Sequence, residues 1–477
     1  MVEAHWVMKM REAYHQRGSI MKLGLAFGLA LLLAACAHME KGRGHDTVSQ
    51  LVEARSGHRT GWEQGSPEAQ QIAERVDALL KGGLNRDRAV QIALINNPRL
   101  QETYDELDVS QADLVQAGLL SNPTLSGSIG FQLGNGSGRP EYEVSIVQSF
   151  LDIFMLPLRK RVAEAEFDAE TLRVAYAALQ MAAETSKEFA EFQASEQTVE
   201  LMRSISLGAD AAASLAERQF EAGNVTERVL ASERAVSAQV ELDLAHDQLS
   251  MLEHRERLNR LLGLWGRNSS WKSAQSLQTI PKSEEPLEHL EVTALKQRLD
   301  VQAARKQVEM MESALSMART SRYTGVVNVG AHLHQDVTGP RLMGPTLSIE
   351  LPIFDQRQAL IGRLEAQRRQ AQRRLDALGL DVRSEVRIAK AELDLNRHAA
   401  EQYLNALLPL RRAALEQSEL EYNAMQIGLY ELLATKKAEI ETFRAYLDTV
   451  RDYWIAHAEL ERALGGRVTS ARTGSAP

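Results

Sequence analysis

The amino-acid sequence predicts a mainly α-helical chain with a small β part: one unit, a β-hairpin followed by a long helical hairpin, written twice. Three observations predict it. Residues 344–356 alternate so that Leu347, Ile349, Leu351 and Ile353 fall on one face of a strand and Thr346, Ser348 and Glu350 on the other. About 200 residues earlier, Ser145, Ile146 and Asp152 stand where Ser348, Ile349 and Asp355 stand later. Both copies then run into long, charged, helix-patterned segments with almost no proline.

Composition sets the outer bounds. Of 477 residues, 44% are hydrophobic but only 5% aromatic, and 30 glycines and 12 prolines are few for so long a chain, which suits long helices better than several packed domains. The net charge of −9 gives no basic footprint for nucleic acid, and Lys and Arg are spread through the helices.

The first elements are an address. Lys22, the apolar run 23–35 and the LAAC sequence at 33–36 read as a signal peptide, since the run is shorter than the roughly 20 residues a membrane-spanning helix needs. Residues 1–35 are therefore a signal region, with Met21 the expected start, because 1–20 contain Glu3, Arg11, Glu12 and Arg17. The LAAC sequence resembles a bacterial lipoprotein lipobox, which implies lipidation of Cys36; the other reading is an ordinary cysteine in a signal peptide cut elsewhere. Cys36 is the sole cysteine, so internal disulfides, thiolate metal cages and two-cysteine redox sites are excluded. Two acyl chains on it would suffice for stable anchoring.

Residues 36–86 form a polar arm, read as extended and leading into a short helix. The first repeat spans 87–265. Val90, Ile92, Leu94 and Ile95 are helically spaced, the pattern breaks at Asn97 and Pro98, resumes through Leu114 and Leu119, and stops at Asn122 and Pro123. In 124–133, Leu125, Ile129, Phe131 and Leu133 oppose Thr124, Ser126, Ser128 and Gln132. After the turn 134–140, Tyr142, Val144 and Ile146 oppose Glu143 and Ser145. The second pair is 326–334, where Val327, Val329, Ala331 and Leu333 oppose Asn328, Gly330, His332 and His334, followed by 346–353. Such alternation suits a soluble hairpin and equally a membrane barrel with a wet interior. Four strands cannot close a barrel, and an open sheet edge in lipid leaves backbone groups unsatisfied, so a barrel would need several chains.

Helical patterning holds over 158–222 and again over 356–424, where Pro409 should kink the helix or mark a junction. At 1.5 Å per residue such stretches are rods of roughly 100 Å. Small residues such as Ala175, Ala178, Ala182 and Ala183 suit close approach of helices in a helical barrel; an ordinary coiled coil is the alternative. Return helices follow over 226–264 and 429–464, with a linker at 266–288 between them. The second repeat spans 289–465, and a Gly/Ser/Arg/Thr-rich tail, read as disordered, occupies 466–477. Catalytic signatures are missing: the sequence contains no phosphate loop, G-x-S-x-G or H-E-x-x-H, so neither an enzyme nor a cofactor is expected. His332 and His334, with Asp336 nearby, suit a metal contact or, with greater weight, polar lining.

The segment AL-x-x-NP-x-L at 93–100, followed by a helix ending LL-x-NP-x-L at 119–125, resembles the opening of the TolC-type outer-membrane factors, exit ducts of Gram-negative efflux pumps and type I secretion systems. The resemblance covers 87–465. It implies a homotrimer with a 12-strand β-barrel in the outer membrane, a long helical barrel in the periplasm and a linker girdling its middle. It also implies a periplasmic adaptor and an inner-membrane RND-type pump as partners. On this reading Leu125, Ile129, Val144, Ile146, Val329, Leu333, Leu347 and Ile349 face lipid, and Ser126, Ser128, Glu143, Asn328, His332, Ser348 and Glu350 face the pore. The family's Y-x-x-G tip is similar to Phe220, Gly223 and Asn224 and to Tyr422, Met425 and Gly428, which would dock the adaptor. Because Met425 holds the glycine position and Gly428 follows three later, the second turn is expected to be shifted or wider. Arg298-Leu-Asp-Val resembles the family's R-P-D-L without its proline. The stretches MQIGLYELL and RDYWIAHAEL are similar to ducts of heavy-metal and copper resistance systems, and multidrug export fits nearly as well. A lipid-anchored periplasmic coiled-coil scaffold or adhesin without a pore is the competing class; paired amphipathic hairpins would serve it no purpose.

Overall fold

The computed structural model describes residues 42–63, 65–131, 140–281, 289–323, 325–335 and 339–467. The signal region, Cys36, the turn 134–139, the linker segment 282–288, Asp336 and the tail beyond 467 lie outside the described residues.

The first repeat contains α1 (His45–Ser56), α2 (Ser66–Leu80), α3 (Arg86–Asn96), α4 (Pro98–Ala117), β1 (Thr124–Gly130), β2 (Glu141–Ser149), α5 (Leu151–Glu221) and α6 (Glu227–Leu262). The second contains α7 (Leu290–Gln297), α8 (Leu299–Thr320), β3 (Val327–Gln335), β4 (Arg341–Ile349), α9 (Gln358–Gln402), a π-helical turn (Tyr403–Leu407), α10 (Leu408–Asn423) and α11 (Leu429–Leu464). Compactness divides the chain across this duplication. One unit takes 108–167 and 309–369, the sheet and its flanking helix segments; the other takes 44–107, 168–308 and 370–477.

In the first unit the sheet runs β1-β2-β3-β4, every pair antiparallel. The last strand departs from the sequence reading: it occupies Arg341–Ile349 and not 346–353. Its partner decides this. β3 extends to Gln335, which pairs with Arg341, and begins at Val327, opposite Ile349. Beyond that point Glu350 N–H still donates to the Val326 carbonyl at 2.9 Å, but Pro352 lacks a donor and the paired residues of β3 have ended at Val327. Pro345 is accommodated because β4 is an edge strand.

In the second unit buried clusters join the helices in sequence. Phe189 and Phe192 of α5 pack with Leu258 and Leu262 of α6, and with Ile92 and Ile95 of α3. Ala190 and Ala194 of α5 meet Tyr446 and Val450 of α11. Val382, Val386 and Leu393 of α9 meet Tyr453 and Leu460 of α11. The links run α6 to α5, α5 to α11 and α11 to α9, which leaves α6 and α9 as the outer members. Alanines on α5 permit the close approach, as the sequence suggested.

Two further differences from the sequence reading have local causes, and one expectation is met. The arm read as extended folds into α1 and α2, because Val48, Leu51 and Val52 line one side of α1 and bury against Leu94, Leu100 and Tyr104. Helix α5 begins at Leu151 and carries Pro157 within it, near enough to its start that few upstream turns are disturbed. Pro409, expected to kink the second rod or mark a junction, marks a junction: it sits at the start of α10 directly after the π-helical turn. That wider turn offsets the missing N–H and makes room for the ring.

Candidate functional site

Strand register settles which residues share a face. Ser126 stands opposite Ser145 and Ser128 opposite Glu143; Glu143 pairs with His334, Ser145 with His332, and Asn328 with Ser348. One face therefore collects Ser126, Ser128, Glu141, Glu143, Ser145, Asn328, His332, His334, Thr346 and Ser348. The opposite face collects Leu125, Ile129, Tyr142, Val144, Ile146, Val329, Leu333, Met343, Leu347 and Ile349. These apolar side chains are uncovered: Leu125 is 72% exposed and Leu347 66%. A soluble sheet buries such a face, so this one is built for an apolar environment or partner. Glu350, expected among the polar strand residues, lies past the end of β4, where its carboxylate accepts from Val326 N–H at 3.0 Å.

At the helical turns the two repeats match atom for atom. Gly223 has φ 74° and Met425 φ 60°, both left-handed. Gly223 N–H donates to the Phe220 carbonyl and Met425 N–H to that of Tyr422, each at 2.9 Å. Asn224 N–H reaches Gln219 at 2.7 Å, and Gln426 N–H reaches Glu421 at 2.8 Å. The second turn is therefore neither shifted nor wider: Met425 adopts the glycine conformation because the same pair of C-terminal hydrogen bonds holds it there. Gly428 does a different job, preceding α11 at the position Thr226 holds before α6. Near the turns Tyr430 Oη donates to Gln219 Oε1 at 3.1 Å. A cleft of about 240 Å³ opens beside it, lined by Gly208, Ala212, Val240, Tyr430, Leu433 and Ile440.

Far from the turns, the helix ends meet an arrangement that the sequence only hinted at. Asn96 and Asn97 donate their side-chain amides to the carbonyls of Leu262 and Leu261, both at 2.8 Å, capping α6. Arg298 stands at the repeat equivalent of Asn97 and is 1% exposed. Its guanidinium grips Asp300 through Nε at 3.0 Å and Nη2 at 2.6 Å, and reaches Glu385 at 2.6 Å. Glu385 also accepts from Arg462 at 3.1 Å, Arg462 donates to Glu459 at 2.6 Å, and Lys187 donates to Glu459 at 3.0 Å. Burial alone would lower the Arg298 pKa; its hydrogen bonds to Asp300 and Glu385 more than reverse that, so it is held above the ordinary arginine value. Likeness drew attention to Arg298 and Asp300, but Glu385, Arg462, Glu459 and Lys187 had no signal of their own among 64 acidic and 55 basic residues.

His332 and His334 share the polar face, although among the described residues no three His, Cys, Asp or Glu groups converge on a metal site. No described helix is long and apolar enough to cross a membrane.

A duplicated chain with an amphipathic antiparallel sheet and long helical hairpins is the fold of solved outer-membrane efflux channels. Residues 89–264 match the family model described as outer membrane efflux protein. The cobalt-zinc-cadmium resistance protein CzcC of Cupriavidus metallidurans is 24% identical over 395 residues, which cover 80% of this chain and 90% of that protein. Among solved structures, the CmeC outer membrane channel of Campylobacter jejuni superposes with a TM-score of 0.69 at 16% identity, over 80% of this chain and 86% of that one. CusC, whose structures concern folding and transmembrane channel formation, gives 0.66 at 18% identity, over 82% and 92%. These likenesses support a TolC-type outer-membrane factor, with the family match itself carried by the first repeat.

Proposed function

We propose that three copies of this chain form a passive exit duct in the outer membrane, anchored by lipid on Cys36. The duct receives cargo from an inner-membrane RND-type pump through a periplasmic adaptor that docks at the helical turns around Gly223 and Met425. The observation that carries the reading is the sheet: an exposed apolar face, a polar face, and β1 and β4 left as edges. In lipid those edges must pair, and β4 of one copy against β1 of the next satisfies them by the same step around a ring, so that three copies of the 4-stranded sheet supply twelve strands. The helical unit supports the same head-to-tail step. Its outer members carry uncovered apolar side chains, Leu242, Leu249 and Leu252 on α6 and Leu380, Ile388 and Leu395 on α9. A scaffold or adhesin in water would hide the sheet face and has no use for it. The relative's name, cobalt-zinc-cadmium resistance protein, supports divalent heavy-metal cations as the cargo. Single cysteines at Ile349 and Ser348 in a Cys36→Ser background test the duct. A water-soluble maleimide is expected to label Ser348→Cys and spare Ile349→Cys in membranes; equal labelling overturns the barrel. Deleting the gene should sensitise cells to cobalt, zinc or cadmium, and sensitivity to detergents and dyes alone would overturn the cargo class.

A further inference from the structure

We propose that the polar face of the sheet carries a weak transit site for a divalent transition-metal cation, formed by Glu141 and His334 with His332 alongside. This rests on the duct reading above, in which that face lines the pore. Three features of the face point to it.

The first is charge. Among the described strand residues the polar face carries Glu141 and Glu143 and no Lys or Arg, because the register sends Arg341 to the opposite face with Met343 and Pro345. An enclosure lined this way attracts cations and repels anions.

The second is ligand chemistry. His334 Nε2 lies 3.5 Å from Glu141 Oε1, with side chains 29% and 47% exposed, so both remain open to solvent and to an incoming ion. His332 sits one pleat further along the same face, opposite Ser145, and its Nδ1 is sequestered with no hydrogen-bond partner. Its ring lies over Gly344, where a Cβ would stand 3.3 Å from Cε1, so the glycine leaves the imidazole its room. An imidazole nitrogen beside a carboxylate oxygen suits cobalt, zinc and cadmium, whereas magnesium and calcium prefer all-oxygen sets.

The third is what the face lacks. Among the described residues no three ligating groups converge. A path for ions needs that arrangement: one or two protein ligands with water completing the shell hold an ion loosely enough to release it, and a ring of such sites passes it on.

The test is binding to the purified full chain in detergent, without a histidine tag and with Co²⁺ as probe, so that the site is judged apart from transport. Wild-type protein is expected to bind Co²⁺ with magnesium competing poorly. The double variant His332→Gln/His334→Gln, which keeps polar side chains on the same face, should weaken that binding at least tenfold while its circular dichroism stays unchanged. Glu141→Gln should weaken it by a smaller factor. Co²⁺ affinity in the double variant within twofold of wild type, or Mg²⁺ competing as well as Zn²⁺, overturns the site. The maleimide pattern at Ile349 and Ser348 reports separately on the barrel, so a failed site and a failed duct are told apart.

Discussion

Replacing Arg298 by leucine removes the one cation buried between Asp300 and Glu385, and the structure sets the size of the effect. Breaking a buried pair by deleting one partner costs about 3–5 kcal/mol, since the remaining charge is left desolvated. The two carboxylates here are not equally stranded. Glu385 keeps Arg462 at 3.1 Å and its side chain is 35% exposed, while Asp300 still accepts from Val301 N–H at 2.9 Å with 16% exposure. The cost therefore falls at the lower end, about 3 kcal/mol, or roughly a hundredfold in a local equilibrium. Because Arg298 joins the start of α8 to the end of α11, the loss should appear as local opening. Hydrogen exchange at Val301 to Ala303 and at the last turn of α11 should quicken about a hundredfold, with α5 amides near the sheet unaffected. The double variant Arg298→Leu/Asp300→Leu should recover part of the protection, since it removes both charges together. Less than a threefold change in Arg298→Leu would refute the claim that this network holds the helix ends.

Three other outcomes follow from single features. At the turns, Gly223→Ala puts a side chain at φ 74° and should lower stability by about 1 kcal/mol, whereas Met425→Gly should raise it by up to about 1 kcal/mol; urea midpoints moving in the same direction would contradict the shared geometry. In acid, burial would raise the Glu459 pKa, but its hydrogen bonds from Arg462 and Lys187 leave it below the ordinary carboxylate value. A depressed folded pKa contributes stability above the unfolded value of 4.5 that disappears as pH falls through the folded value, so the helical unit should lose stability below about pH 4.5. Glu459→Gln should flatten that acid limb, and an unchanged limb would locate acid sensitivity elsewhere. For the anchor, Cys36→Ser should abolish incorporation of a palmitate analogue; label retained in the variant removes the lipobox assignment.

What was legible in the sequence was what depends on near neighbours. Alternation with period 2 assigned Leu125, Val144, Val329 and Leu347 to one face and Ser126, Glu143, Asn328 and Ser348 to the other, and the register agrees because adjacent residues in a strand cannot share a face. Bounds were legible only where punctuation is local: α11 ends at Leu464 before the left-handed Gly465, whereas β4 ends at Ile349 because β3 begins at Val327, a fact held by another strand. Helix α1 in the arm is not legible locally for the same reason. Val48, Leu51 and Val52 are too few to mark a helix among polar residues until Leu94 and Tyr104 supply the surface that buries them. At Met425 residue identity misled, since the hydrogen bonds of the turn outweigh the preference of one side chain.

The duplication explains why a charge is buried at Arg298. Each repeat must cap the last carbonyls of its return helix where the next helix starts at a sharp bend. The first repeat does so with neutral amides, Asn96 and Asn97 on α6. Asn97 donates to Leu261 while its own Oδ1 accepts from Arg99 and Leu100, so the residue closes the accounts of two helix ends with no net charge. The second repeat places a guanidinium at the equivalent position, within 3.5 Å of the Ala463 carbonyl. A guanidinium has five donors and no acceptor, so carboxylates must follow it into the interior. Asp300 and Glu385 provide them, and Arg462, Glu459 and Lys187 extend the chain to α11 and α5. One substitution at a capping position thus recruits four elements into a single charged hub. Arg298→Asn should for this reason fail to restore the capping of the first repeat, because it would leave Asp300 without its cation and Glu385 with Arg462 alone.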